Sequence, residues 1–135
     1  MPPIEPLPFR IAVPGRDKLE LAGARSISWS ITGLLHHEVT QLAFEWEGTR
    51  RTQGLTLGGA VDRVDQVPAE VVEVPIELVA EAWLTGGWWL PRFIVRGRRL
   101  DVFDGLPGAL AGRAVLRIER RHRDIAQAMA AEINR

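Results

Sequence analysis

Hydrophobic and polar residues alternate with a period of two in several short segments of the chain. In residues 27 to 32, I-S-W-S-I-T, the apolar side chains would share one face and the hydroxyl side chains the other. Residues 41 to 47, Q-L-A-F-E-W-E, repeat the pattern with glutamates on the polar face. A turn near residues 36 to 38 separates the two segments. The pattern therefore predicts two half-buried strands paired as an antiparallel hairpin.

The second half of the chain predicts further short strands joined by turns. Pro75 cannot donate to a strand ladder, so it indicates a bend or a sheet edge. Gly97 and Arg98 fit a two-residue hairpin turn. The predicted strands cover residues 71 to 78, 79 to 85, 92 to 96, 99 to 103 and 114 to 119.

The period changes near residue 121, where apolar residues begin to recur at helical spacing. Asp124 stands at a possible N-cap position. The chain therefore ends in one predicted amphipathic helix with an apolar stripe of Ile125, Ala128, Met129 and Ile133.

Three segments lack a clear period. Four of the first eight residues are proline, so residues 1 to 23 predict an extended Pro-rich N-terminal arm. Residues 48 to 70 are rich in Gly, Thr, Arg and Asp and predict a loop, with a short edge strand at 54 to 57 at most. Residues 104 to 112, rich in Gly and Pro, predict another loop.

The order of elements in the second half resembles that of the bacterial pleckstrin-homology-like (PH-like) domains. The segments that carry this resemblance are V-P-I-E-L-V-A-E-A-W, G-G-W-W, R-R-L-D-V-F-D-G-L-P-G and the closing strand and helix. The resemblance covers residues 24 to 135. It implies a mainly β fold with one C-terminal α-helix, in which a small barrel of about seven antiparallel strands is capped by the helix.

What the resemblance implies for function is a scaffold that binds a peptide, a lipid head group or another copy of itself. Lipid-binding members carry a basic cluster between their first two strands. The corresponding loop here is G-L-L-H-H-E-V, which contains no arginine or lysine. Phosphoinositide binding in the familiar mode is therefore not expected.

Length and composition predict one domain whose core needs no disulfide bond or structural metal ion. The chain has 135 residues, 46% of them hydrophobic, and no cysteine, which excludes thiol catalysis and disulfides. Its apolar run at residues 82 to 91 is far shorter than the roughly 20 residues that span a bilayer. We therefore expect a cytoplasmic protein with no transmembrane segment, and the resemblance to PH-like domains implies that it is bacterial.

Charge is balanced overall but uneven along the chain. Residues 37 to 90 contain nine acids and three arginines, a net charge of minus six, whereas residues 91 to 123 contain nine arginines and three acids, a net charge of plus six. Two explanations stay open: the two halves face each other across the sheet, or the basic half meets an anion. The net charge of zero does not favour a nucleic-acid partner.

Trp88 and Trp89 form the first candidate site. Neighbouring strand residues point to opposite faces, so both indoles cannot enter the same core. Because Trp and Arg dominate binding hot spots, we expect an interface around Trp88, Trp89 and Arg92, with a homo-oligomer as its simplest product. The alternative is one core tryptophan and one that folds against arginine stems.

Arg120, Arg121 and Arg123 form the second candidate site, for an anion. They stand where the last strand becomes the helix, and cations are disfavoured near a helix start. A bound anion would relieve this, as would facing carboxylates such as Glu73 and Glu77.

The sequence contains no G-x-S-x-G, H-E-x-x-H or G-x-x-x-x-G-K-[ST] motif, no cysteine and no tyrosine, so we assign no catalytic residue and no cofactor. His36 and His37 are adjacent and would diverge on a strand, so we assign no metal site. The sequence favours a non-enzymatic binding or self-association module. The alternative is a carrier that holds a small apolar ligand inside the barrel, against Trp29, Phe44 and Trp46.

Overall fold

A computed structural model describes residues 4–20, 23–56 and 58–135. The fold is mainly β, with seven antiparallel strands in one sheet and a single C-terminal helix, which confirms the predicted fold class. The strands are β1 (Leu7–Glu20), β2 (Gly23–His37), β3 (Gln41–Thr56), β4 (Gly59–Pro75), β5 (Val79–Thr85), β6 (Arg92–Gly97) and β7 (Arg113–Arg117). Short 3-10 turns (Ile76–Leu78 and Arg120–His122) precede β5 and the helix α1 (Arg123–Ile133).

The sheet consists of two meanders that meet at β1 and β7. Its strand order is β4-β3-β2-β1-β7-β6-β5. Within each meander, neighbouring strands pair along most of their lengths. Between β1 and β7, by contrast, one residue pair is in register, Arg10 with Arg117. The two meanders are therefore joined by a narrow contact.

Both meanders and the helix bury their apolar faces in one common core. Phe44 lies at its centre with no exposed surface, and its ring meets those of Phe9 and Phe103 edge-on, with centroids 6.3 and 5.7 Å apart. Ala126 and Met129 of α1 are fully buried in the same cluster. The helix thereby covers the β5 side of the core.

The prediction of an N-terminal arm is wrong for the part of it that forms β1. Leu7, Phe9 and Ile11 are buried in the core, and the strand pairs with β2 along its length. The segment L-P-F-R-I-A-V alternates with a period of two, but its proline and those before it concealed the pattern. Pro8 is tolerated because it stands at the beginning of the strand. Residues 1 to 3 and 21 to 22 lie outside the described residues.

The loop predicted at residues 48 to 70 is also wrong, because most of it continues β3 and β4. The distal half of this hairpin extends past the core, so its side chains are largely exposed and the apolar alternation fades. Cross-strand contacts replace burial there: Arg51 donates two hydrogen bonds to Asp62, at 3.1 and 2.9 Å, and Arg50 lies 3.3 Å from Asp65. Sequence periodicity cannot detect a strand that buries neither face.

The strand predicted at residues 99 to 103 is absent, since residues 98 to 108 form turns and bends. Phe103 and Leu106 enter the core from this irregular segment. The Gly97 N–H donates to the carbonyl of Gly112, 2.8 Å away, so a wide connection replaces the expected two-residue turn. β6 therefore pairs with β7.

The helix starts two residues earlier than a cap at Asp124 would require. His122 occupies the N-cap position, and Asp124 lies in the first turn. Ala128 of the expected stripe is exposed, whereas Ala126 is buried. At the C-terminal end of the helix, the side-chain amide of Asn134 accepts a hydrogen bond from the Ala82 N–H on β5, at 2.9 Å, and donates one to the Ala82 carbonyl, at 2.7 Å.

Candidate functional site

The connection between β5 and β6 is shaped by two glycines in the left-handed region. Gly86 and Gly87 have φ of 85° and 68°, which side chains disfavour. A Cβ at Gly86 would also collide with the carbonyl oxygen of Leu90. The glycine pair therefore allows the tight reversal that presents Trp88 and Trp89.

Both tryptophans lie outside the core. Trp88 is 63% exposed, Trp89 is 74% exposed, and the next residue, Leu90, is 72% exposed. The alternative in which one of the two indoles packs in the core is thus wrong. Three consecutive large apolar residues in solvent are unusual for a hairpin tip, and such clusters mark interaction sites more often than isolated exposed residues do.

Two arginines from the start of the helix lie over these indoles. The Arg120 guanidinium carbon is 4.7 Å from the ring centroid of Trp89 and 5.9 Å from that of Trp88. The Arg123 guanidinium lies 6.0 Å from Trp88, and its Nη1 donates to the Gly87 carbonyl at 2.7 Å. These are cation–π distances. We call Trp88, Trp89, Arg120 and Arg123 the Trp–Arg surface.

Strand order brings these residues together. β6 and β7 are antiparallel, with Arg92 opposite Arg117, and the Ile118 N–H donates to Pro91 at 3.2 Å. The residues before β6 and those after β7 therefore emerge at the same end of the sheet. The two candidate sites that the sequence suggested separately form one surface.

The remaining two candidate residues have different neighbours. Arg121 pairs with Glu119 at 2.6 Å. Arg92 lies in register with Arg117, and the arginines over the two indoles are Arg120 and Arg123 instead. In the described part of the chain, neither Arg120 nor Arg123 has a carboxylate within ion-pair distance.

Apart from β5, the acidic and basic halves of the chain occupy different regions of the sheet. β3 and β4 lie at one end of the strand order and β6 and β7 near the other. Among the ion pairs of the described residues, one joins the two halves, from Arg96 to Glu81 at 2.9 Å. The explanation that the halves neutralise each other across the sheet therefore holds for that pair alone. Glu73 and Glu77 do not meet the arginines at the helix start.

The other sequence candidates do not converge on a reactive centre. The residues that the structure describes contain no group of three or more His, Asp or Glu side chains arranged to hold a metal ion. Nε2 of His36 lies 3.3 Å from Glu45. None of the helices in the described residues has the length and apolar character needed to cross a bilayer. In the long hairpin, a hydrogen bond from Arg51 lowers the pKa of Asp62.

The rings named for the carrier hypothesis have mixed environments. Phe44 and Trp46 are buried in the core, and the Phe44 ring is in contact with other phenylalanines. Trp29 is half-buried under Arg50, whose guanidinium lies 5.6 Å from the indole centroid. The binding of a small apolar ligand against these three rings remains a prediction.

Comparison of the chain with models of known protein families, with curated proteins and with solved structures found no match.

Proposed function

We propose that this protein is a non-enzymatic self-association module, in which the Trp–Arg surface of one copy docks on the acidic strands of another. The observation that carries the proposal is the stack of two exposed indoles under two arginines that have no carboxylate partner among the described residues. Trp and Arg are the side chains most enriched at binding hot spots. A cation–π contact contributes about 0.5–1 kcal/mol when exposed and about 2 or more when a partner excludes water.

A suitable partner surface exists on the same chain. Glu45 and Glu47 are alternate residues on one face of β3, and Glu73, opposite Ala43, lies on the same face of β4. Glu47 and Glu73 form no ion pair within the described ranges. A groove of about 280 Å³ lies beside Glu45 and Glu47, with Leu34 and Ala69 in its walls. We call these three glutamates the acidic face.

Charge favours a head-to-tail arrangement. A two-fold contact between two Trp–Arg surfaces would place arginines against arginines, which costs several kcal/mol when desolvated. Docking on the acidic face pairs opposite charges instead. Such a heterologous contact closes into a ring or continues as a filament, according to the rotation between copies.

Charge reversal tests the pairing directly. Mass measurement by light scattering should show assemblies of the wild-type protein that dissociate as salt is raised. Arg120→Glu/Arg123→Glu and Glu47→Arg/Glu73→Arg should each be monomeric alone. Mixed, they should form a one-to-one complex, because each retains one intact surface.

The indoles are tested with a matched apolar control. Trp88→Ala/Trp89→Ala should dissociate the assembly without changing the circular dichroism spectrum, whereas Leu100→Ala, at a 75% exposed position elsewhere, should leave the mass unchanged. A wild-type protein that is monomeric at every concentration, or a mixture of charge-reversed variants that fails to pair, would contradict the proposal.

We include the fold family and the cellular location in the same proposal. The element order supports a PH-like description, and a chain without cysteine is well suited to a bacterial cytoplasm because it needs no oxidising compartment.

A further inference from the structure

A groove opens where β1 and β7 diverge. The two strands are in register at Arg10 and Arg117, and beyond that pair the residues of β1 and β7 line a groove of about 510 Å³. This volume lies within the range of small-molecule sites, roughly 300–1,000 Å³. The groove is distinct from the Trp–Arg surface, since none of the four residues of that surface lines it.

One side of the groove is cationic. Arg10, Arg117 and Arg92 stand directly opposite one another on three neighbouring strands. Like charges in such positions destabilise a sheet. Glu119 lies 3.9 Å from Arg10, but Arg92 and Arg117 form no ion pair in the parts of the chain that are described. None of the described residues that line the groove carries a carboxylate.

The remaining walls are apolar. Val13, Val115 and Leu110 line them, and the last two are 42% and 71% exposed. Gly108, with φ of 80°, lies close against β1: a Cβ there would meet methyl groups of Ile11 and Val13 at 3.0 Å each. The loop that carries Leu110 is thus held against β1 and forms one bank of the groove.

We propose that this groove binds a small amphipathic anion. Its carboxylate or phosphate group would bond Arg92 and Arg117, and its apolar chain would lie on Val13, Leu110 and Val115. Guanidinium groups form forked, charge-assisted hydrogen bonds with such anions. Binding would remove the uncompensated repulsion between the two arginines and cover exposed apolar surface.

Calorimetric titration with decanoate, below its micelle concentration, tests the proposal. Decanoate should bind the wild-type protein, and Arg92→Gln/Arg117→Gln should weaken binding about tenfold or more. The matched control, Arg98→Gln/Arg99→Gln, removes two exposed arginines from a neighbouring turn and should change affinity less than about twofold. Decyl phosphate in place of decanoate shows which head group the arginines prefer.

Two further arms test the apolar half and the fold. Val115→Asp should abolish decanoate binding, while acetate alone should not bind measurably at the same concentrations. If the glutamine variant does not fold, Arg92→Lys/Arg117→Lys keeps the charge but loses the fork and should still bind several-fold more weakly.

Several results would overturn the proposal. They are no decanoate or decyl phosphate binding to the wild type, equal binding by Arg92→Gln/Arg117→Gln, or equal binding of the cationic amphiphile decyltrimethylammonium. The glutamine variant should retain the wild-type mass distribution, so the groove and the self-association surface can fail independently.

Discussion

Replacing Asn134 by alanine should detach the end of the helix from the exposed edge of the sheet. β5 is the last strand in the order, so no strand of the described residues pairs with the backbone groups on its outer side. The Asn134 side chain bonds to the backbone of one β5 residue, as a neighbouring strand would. Its Nδ2 donates to the Ala82 carbonyl at 2.7 Å, and its Oδ1 accepts from the Ala82 N–H at 2.9 Å. Ala82 is 1% exposed, so water reaches these groups poorly in the folded state.

The expected loss follows from these two hydrogen bonds. Each contributes about 0.5–1.5 kcal/mol net, and more if its buried partner stays unpaired, so Asn134→Ala should lower the free energy of unfolding by about 2 kcal/mol. For a chain of this size that corresponds to a fall in Tm of roughly 8 °C. Urea unfolding gives the free energy, and hydrogen exchange should show faster exchange at the Ala82 amide.

A nearby surface substitution serves as the control. Glu132→Gln removes only the ion pair with Arg135, which is 3.3 Å long, and should change stability by less than about 0.5 kcal/mol. If Asn134→Ala costs no more than this control and leaves exchange at Ala82 unchanged, the amide of Asn134 does not hold the helix to β5.

Three other substitutions or titrations probe the core and the long hairpin. Phe44→Ala, at a position with no exposed surface, should lower the free energy of unfolding in urea by about 3–5 kcal/mol; a loss below about 1 would contradict the packing described. Gly33→Ala would place a Cβ 2.6 Å from the Phe9 ring and against a backbone carbonyl of β3, so it should cost about 1–3 kcal/mol, whereas Thr32→Ala beside it should be nearly neutral in the same assay. The Arg51 hydrogen bond lowers the pKa of Asp62, so the stability that this pair contributes is present above about pH 4 and is lost as the pH falls through the folded pKa. A carboxyl titration followed by NMR should place the Asp62 midpoint below the ordinary aspartate value and return it towards that value in Arg51→Gln; identical midpoints would refute the pairing.

Short strands that bury one face could be predicted from the sequence. The predicted strand at residues 79 to 85 coincides with β5, and residues 92 to 96 form all but the last residue of β6. The segments 27 to 32 and 41 to 47 lie inside the much longer β2 and β3. Their ends were missed because alternation reports burial, and the distal hairpin has little of it.

The candidate site was predictable in its parts but not in its assembly. The indoles, the glycine pair and the basic cluster are each visible in the sequence. Because β6 and β7 are antiparallel neighbours, the residues before β6 lie beside those after β7. A correct prediction of this pairing would have placed the two indoles beside the basic cluster. The strand wrongly predicted at residues 99 to 103 placed another partner beside β6 and hid this neighbourhood.

The sequence by itself determined the fold class, the closing helix and the solvent exposure of at least one of Trp88 and Trp89, because these follow from local periodicity and from the geometry of adjacent strand residues. Tertiary structure alone decided that β1 completes the sheet between the meanders, that Arg120 and Arg123 cover both indoles, and that Arg92 and Arg117 share a groove. Each of these depends on strand order, which places residues far apart in the chain side by side, and local patterns carry no information about such neighbours.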